Sequence, residues 1–220
     1  MLNQITLACY TQGHKNQSIN SEAWSVPELY CSFLKELESG KVVKANINIR
    51  DEWGDLLDYY ENYGDVITVR NHFDFSVYSI LNKQEKKKMQ LEAVHKGMMQ
   101  IAEKEGWSID SLLDAYNQCL ERNLEYQFQV GKPKSSPNRK HKIGLWCNWD
   151  LDVFEFYWIL FDKQNMELKR ERFVSKSPYE GEIVYYVKWN WISESAVVFQ
   201  DKYKYGKNES WKIDFSDKLF

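Results

Sequence analysis

Hydrophobic and polar positions along this chain change their period near residue 123. From Pro27 to Arg122 the apolar residues recur mostly at helical spacing, with short alternating runs between. Ile5 to Tyr10 reads as a short first strand, and the polar stretch Thr11 to Ser21 as a loop. Ser25-Val26-Pro27-Glu28 has the form of a capping box, with Pro27 where a missing N–H costs nothing. Leu29, Phe33, Leu34 and Leu37 then share one face, and Gly40 closes that helix. Val43, Ala45, Ile47 and Ile49 alternate with polar residues, as a half-buried strand requires. Asp51 to Tyr60 reads as a short helix with acids at its start, and Val66–Val69 and Phe75–Leu81 as strands.

The clearest helix runs from Lys83 to Glu105, with Leu91, Val94, Met98, Ile101 and Ala102 on one face. Ser108 is a natural N-cap for a second helix carrying Ile109, Leu112, Leu113, Tyr116 and Leu120. The short link makes the two antiparallel neighbours. Beyond Leu124 the pattern is that of strands, near 142–149, 152–161, 166–174, 182–191, 196–205 and 209–215. Gly131 to Lys142, with two prolines and several bases, reads as an exposed loop, the best place for a boundary and equally well a long hairpin loop. Phe154, Phe156, Trp158 and Leu160 share one face of a strand whose other face is also apolar, so that strand should be central and covered.

This order of elements predicts an α+β fold: an N-terminal α/β portion, and a helix pair packed on a curved C-terminal antiparallel sheet of about five to seven strands. We expect one domain over residues 1–220, subdivided into a helix-rich part, 1–123, and a β part, 124–220.

Composition narrows the function classes. The 220 residues carry a formal net charge of −3, with 15% aromatic and 28% charged residues, so general binding to DNA or to membranes is not expected. The acid excess lies in the first part: 13 bases against 18 acids in 1–123, but 16 against 14 in 124–220. Cys9, Cys31, Cys119 and Cys147 lie far apart with no C-x-x-C pair, which fits free thiols in a reducing compartment and no zinc site. The N-terminus lacks the pattern of a signal peptide and no run has the length of a membrane span, so the expected location is the cytoplasm.

Motifs for catalysis are missing: no G-x-S-x-G elbow, no Gly-rich phosphate loop, and no cofactor or metal signature. His72 and Asp74 form an H-x-D without a third partner, read as a turn. Asp162 with Glu167 and Lys169 loosely imitates the acid and E-x-K of metal-dependent nucleases, although charge alternation on a solvated strand makes the same triplet. The basic run Lys132 to Lys142 reads as a solubilising loop. The densest signal is acidic: Asp51, Glu52, Asp55, Asp58, Glu61 and Asp65 bring six acids and no base over fifteen residues, interleaved with Trp53, Tyr59, Tyr60 and Tyr63. Acids steer an encounter with a basic partner and aromatics anchor it; a solvated helix face gives the same pattern. The leading expectation is a non-enzymatic protein-binding module, such as a bacterial toxin-neutralising immunity protein, with Trp53, Asp55, Asp58, Tyr59 and Glu61 at the contact. Its partner would be another, basic protein, with no cofactor. The alternatives are a hydrolase or nuclease using Asp162, Glu167 and Lys169, and a structural or assembly subunit.

Overall fold

The computed structural model describes residues 1–9, 17–51, 59–203 and 208–216, with Gln17 and Ser18 by their backbone alone. The chain forms two compact units: Met1–Tyr126 with Asp150–Asp152, and Gln127–Trp149 with Val153–Phe220. Helices and sheets are combined as α+β.

In the first unit the elements are β1 (Gln4–Cys9), α1 (Gln17–Glu22), α2 (Ser25–Ser32), β2 (Lys44–Arg50), β3 (Tyr60–Asn62), β4 (Val66–His72), α3 (Phe75–Ile80), α4 (Lys83–Glu105) and α5 (Ile109–Glu121). The sheet order is β1-β2-β4-β3. The strands β1, β2 and β4 run parallel, and β3 joins β4 antiparallel at the outside. Parallel neighbours need helical crossovers, which bury one sheet face. That face carries Ile5, Leu7, Ala45, Ile47, Ile49, Ile67 and Val69, in one core with Leu91, Val94, Met98, Ile101 and Ala102 of α4. Asn82 closes a capping box at the start of α4, and Gly106 ends it at φ 69°. At Gly97 the helix comes so near β2 that an added Cβ would lie 2.7 Å from Ile47 Cγ1.

Several expectations are corrected here. The helix pair α4–α5 belongs to the first unit, where α4 covers the parallel sheet through β4, β2 and β1. The reason is the apolar alternation of β2 and β4, which supplies a parallel sheet in need of cover. Phe75–Leu81 is not a strand. Asp74 accepts the Val77 N–H at 2.9 Å and starts α3, whose Phe75 and Tyr78 are buried three residues apart. Ser25 opens α2 from inside the helix, with Trp24 at the N-cap and no side-chain cap. Within Thr11–Ser21, the part from Gln17 belongs to α1.

The second unit holds β5 (Tyr126–Ser135), β6 (His141–Trp149), β7 (Phe154–Asp162), β8 (Glu167–Lys176), a 3-10 helix (Pro178–Tyr185), β9 (Val187–Trp191), β10 (Ala196–Asp201) and β11 (Ser210–Asp214). The strands form two sheets, β5-β6-β7-β8 and β11-β10-β9, not one curved sheet. Phe173 stacks on Phe156 and meets Phe199 of β10 at 4.7 Å, while Trp158 meets Phe215 at 5.0 Å. Aromatic rings therefore fill the space between the two sheets. The expected loop 131–142 is largely strand: β5 runs through Pro133, which lacks an N–H to donate and is tolerated on an outer strand. The expected strand 182–191 is shortened by the 3-10 helix, which a capping box between Ser177 and Glu180 sets going with Pro178 in its first turn.

The buried Lys87 ammonium lies 2.7 Å from Asp150, and Lys83 bridges Asp150 and Asp152, each at 2.7 Å, around the buried Leu151. Burial pushes the Asp150 carboxyl up, but the bonds from Lys83 and Lys87 and the Leu151 amide outweigh it, so it titrates below its usual value. A depressed folded pKa contributes stability above the unfolded value of about 4 and loses it as pH falls through the folded pKa. Asp150→Asn should remove that component from the acid limb of the unfolding profile. It should also cost about 3–5 kcal/mol near neutral pH by leaving Lys87 unpaired. An unchanged profile by circular dichroism would contradict this. Gly97→Ala should destabilise by about 1–3 kcal/mol in urea titration through overpacking on Ile47.

Candidate functional site

The outer strand β3 and its flanks carry Tyr59, Tyr60, Glu61, Tyr63 and Asp65 of the acidic, aromatic segment, while Asp51 follows β2 and its carboxylate accepts the Phe75 N–H at 3.0 Å. Trp53, Asp55 and Asp58, and most of the helix expected over 51–60, lie outside the described residues. Tyr59 and Glu61 lie within them, one on each side of Tyr60, where the chain joins the sheet as β3 and not as helix. The register pairs Tyr60 with Val69 and Glu61 with Thr68 of β4. Alternation therefore turns Tyr60 and Asn62 to the α4 side and Glu61 to the opposite face.

On the α4 side, the Tyr60 hydroxyl donates to Glu105 Oε1, and the Asn62 amide donates to the same oxygen at 2.8 Å. Burial and then the Glu105 carboxylate hold the Tyr60 phenol above its usual pKa. Tyr59, Tyr60 and Val69 on one side, and Gln100, Glu103 and Lys104 of α4 on the other, line an open groove of about 370 Å³. The Arg70 guanidinium stacks against the Tyr59 ring with its carbon 3.6 Å from the ring centroid. Past the strand, Tyr63 is 65% exposed, and Gly64 turns the chain at φ 91° with its N–H bonded to Asn62 Oδ1 at 2.7 Å. Glu61 raises the Tyr63 phenol through a hydrogen bond, and Asp65 is exposed beside it.

The residues read as nuclease-like sit on the β7–β8 hairpin. Asp162 Oδ1 accepts the backbone N–H groups of Gln164 and Met166, each at 2.8 Å, and so shapes the turn. Glu167 receives a two-pronged bond from Arg170 at 3.0 and 2.8 Å, and Lys169 lies 3.6 Å from Glu171. β8 is the outer strand of its sheet. Each of the three side chains has a local partner. Among the described residues no three His, Cys, Asp or Glu side chains gather as a set of metal ligands. His72 ends β4, while Asp74 caps α3. His95 is held by Tyr30, whose hydroxyl lies 2.9 Å from its Nδ1.

Sequence reasoning missed Gln100, Glu103 and Glu105. Their signal was present as polar residues at the C-terminal end of α4, but only the parallel sheet shows which strand that end meets. No family model matches the chain, and no curated protein and no solved structure matches it. No described helix is long and apolar enough to cross a membrane.

The phenol at Tyr60 offers a direct check of this geometry. Glu105→Gln should lower its pKa, seen as earlier phenolate absorbance in an alkaline titration and absent from the Tyr60→Phe background. Superimposable curves for the wild type and Glu105→Gln would contradict the contact.

Proposed function

We propose that the protein is a non-enzymatic binding module that presents the outer strand of its N-terminal sheet to a basic protein partner. The observation that carries this reading is the position of the acidic, tyrosine-bearing segment at the open side of β3. Glu61 lies half-buried on β3, and Tyr63 and Asp65 lie exposed in the turn that follows it; among the described residues β3 pairs with β4 alone. Exposed carboxylates raise the rate of encounter with a positive partner, and tyrosine adds contact area at low entropic cost. An outer strand also lets a partner approach backbone and side chains together.

A cytoplasmic bacterial immunity protein would use such a surface to cover the basic cleft of a nuclease toxin, because its carboxylates imitate the charge of phosphates. This reading rests on physical analogy. The local partners of Asp162, Glu167 and Lys169 favour binding over the nuclease alternative, since they hold those side chains in turn and strand structure.

Replacing Asp55, Asp58 and Glu61 together by Ala should slow association with the authentic partner by about tenfold at low salt and flatten the salt dependence of the on-rate. Stopped-flow or surface-plasmon measurements read both. An on-rate and salt slope equal to those of the unaltered protein would sink the proposal.

A further inference from the structure

We infer that β1, at the opposite side of the N-terminal sheet from β3, takes an extended peptide segment of a partner as an added strand. The inference goes beyond the reading of β3 and does not depend on it. In a parallel ladder alternate residues turn their backbone N–H and C=O to alternate sides of the strand. The Gln4 N–H bonds Val43 O at 3.2 Å, so Gln4, Thr6 and Ala8 face β2. Ile5, Leu7 and Cys9 therefore face outward. At Cys9 the Asn20 side chain stands in for a further strand: its Oδ1 accepts the Cys9 N–H at 2.8 Å, and its amide donates to Cys9 O at 3.4 Å. Among the described residues, none does the same for Ile5 and Leu7. Both residues are only 3% exposed, so their outward backbone groups are shielded from bulk water without a protein partner. Buried backbone groups are nearly always paired.

A groove lies where that partner has to be. Every residue from Gln4 to Ala8 lines it on one side, and Asn20, Ala23, Trp24 and Glu28 of α1, α2 and the turn between them line the other. Consecutive residues of a strand share its edge, whereas a sheet face offers only alternate ones, so the groove follows the edge of β1. Its volume of about 140 Å³ is well above the roughly 10–15 Å³ that one water needs. The donor and acceptor at Ile5 recur at Leu7, about 6.6 Å along the strand, which is the repeat of alternate residues in another strand. An extended backbone meets all four groups at once, and in this mode main-chain bonds supply affinity while side-chain contacts select. Ala23 and Trp24, the latter held by its Nε1–H bond to Asn20 O at 2.9 Å, favour an apolar side chain on the helix side. Glu28 is the one charged residue of the lining, which disfavours an acidic segment. The tie between Asn20 and Cys9 closes the ladder at that end, so the added strand is short.

The test uses the full chain labelled with nitrogen-15 and two probes, the blocked peptide acetyl-Thr-Val-Thr-Val-Thr-amide and its fully N-methylated analogue. The analogue keeps the side chains and loses the backbone donors. In the free protein the Ile5 and Leu7 amides should exchange with solvent faster than those of Thr6 and Ala8. The unmethylated peptide should shift the Ile5 and Leu7 amide resonances saturably. At about ten times its Kd it should also slow their exchange by about tenfold. The methylated peptide should do neither. No shift from the unmethylated peptide, or equal shifts from both, would overturn the proposal and leave the edge to water. Equal protection of Ile5, Thr6, Leu7 and Ala8 in the free protein would overturn it too, because the edge would already be paired. Loss of that protection on dilution would then identify a second copy of the chain as the occupant.

Discussion

The packing of α4 on three parallel strands is the constraint from which the candidate site follows. Val94, Met98, Ile101 and Ala102 are buried with Ile47, Ile67 and Val69, and Gly97 lets the helix axis approach β2 where a larger residue would collide with Ile47. Those contacts fix the register of the helix on the sheet. They thereby bring its last turn beside the outer strand, where Glu105 takes the bonds of Tyr60 and Asn62. A strand of three residues has little pairing of its own. Its tie to α4 converts an acidic surface segment into a surface of defined shape.

Many groups that look reactive are occupied in holding the fold. Tyr78 donates to Glu22 at 2.7 Å and accepts from Gln90, and Lys86 completes the pair with Glu22. Cys31, Cys119 and Cys147 are buried, and burial lifts each thiol above its usual pKa, to about 12 for Cys31 and Cys119, so they stay protonated and unreactive near neutral pH. Glu155 is bound by Arg172, Asn148 and Tyr157 on the face of its sheet.

Much of the local structure of the first unit was legible, although the capping box read at Ser25 is not formed and α2 ends at Ser32, well before Gly40. The strands β2 and β4 and the helices α4 and α5 follow from alternation, from Ser108 and from the Leu91–Ala102 stripe. Phe75 to Ile80 misled because Phe, Val, Tyr and Ile favour strands, while the Asp74 cap and burial of Phe75 and Tyr78 decided for a helix. The two sheets of the second unit read as one because strand patterns do not say which strands pair. The choice of sheet beneath α4 is likewise a long-range fact. Of the candidate site, Tyr59 and Glu61 could be named from charge and aromatic density. Gln100 and Glu105 could not, because their meaning depends on a strand some forty residues earlier in the chain.

Affinity capture from native lysate, with the unaltered protein and a Glu61→Gln, Asp65→Asn variant run side by side at low and high salt, addresses the central claim most directly. The account predicts one basic protein, identified by mass spectrometry, that is retained by the unaltered chain at low salt and weakened both by high salt and by the two neutralising substitutions. Retention of the same proteins, to the same extent, by both baits would contradict it.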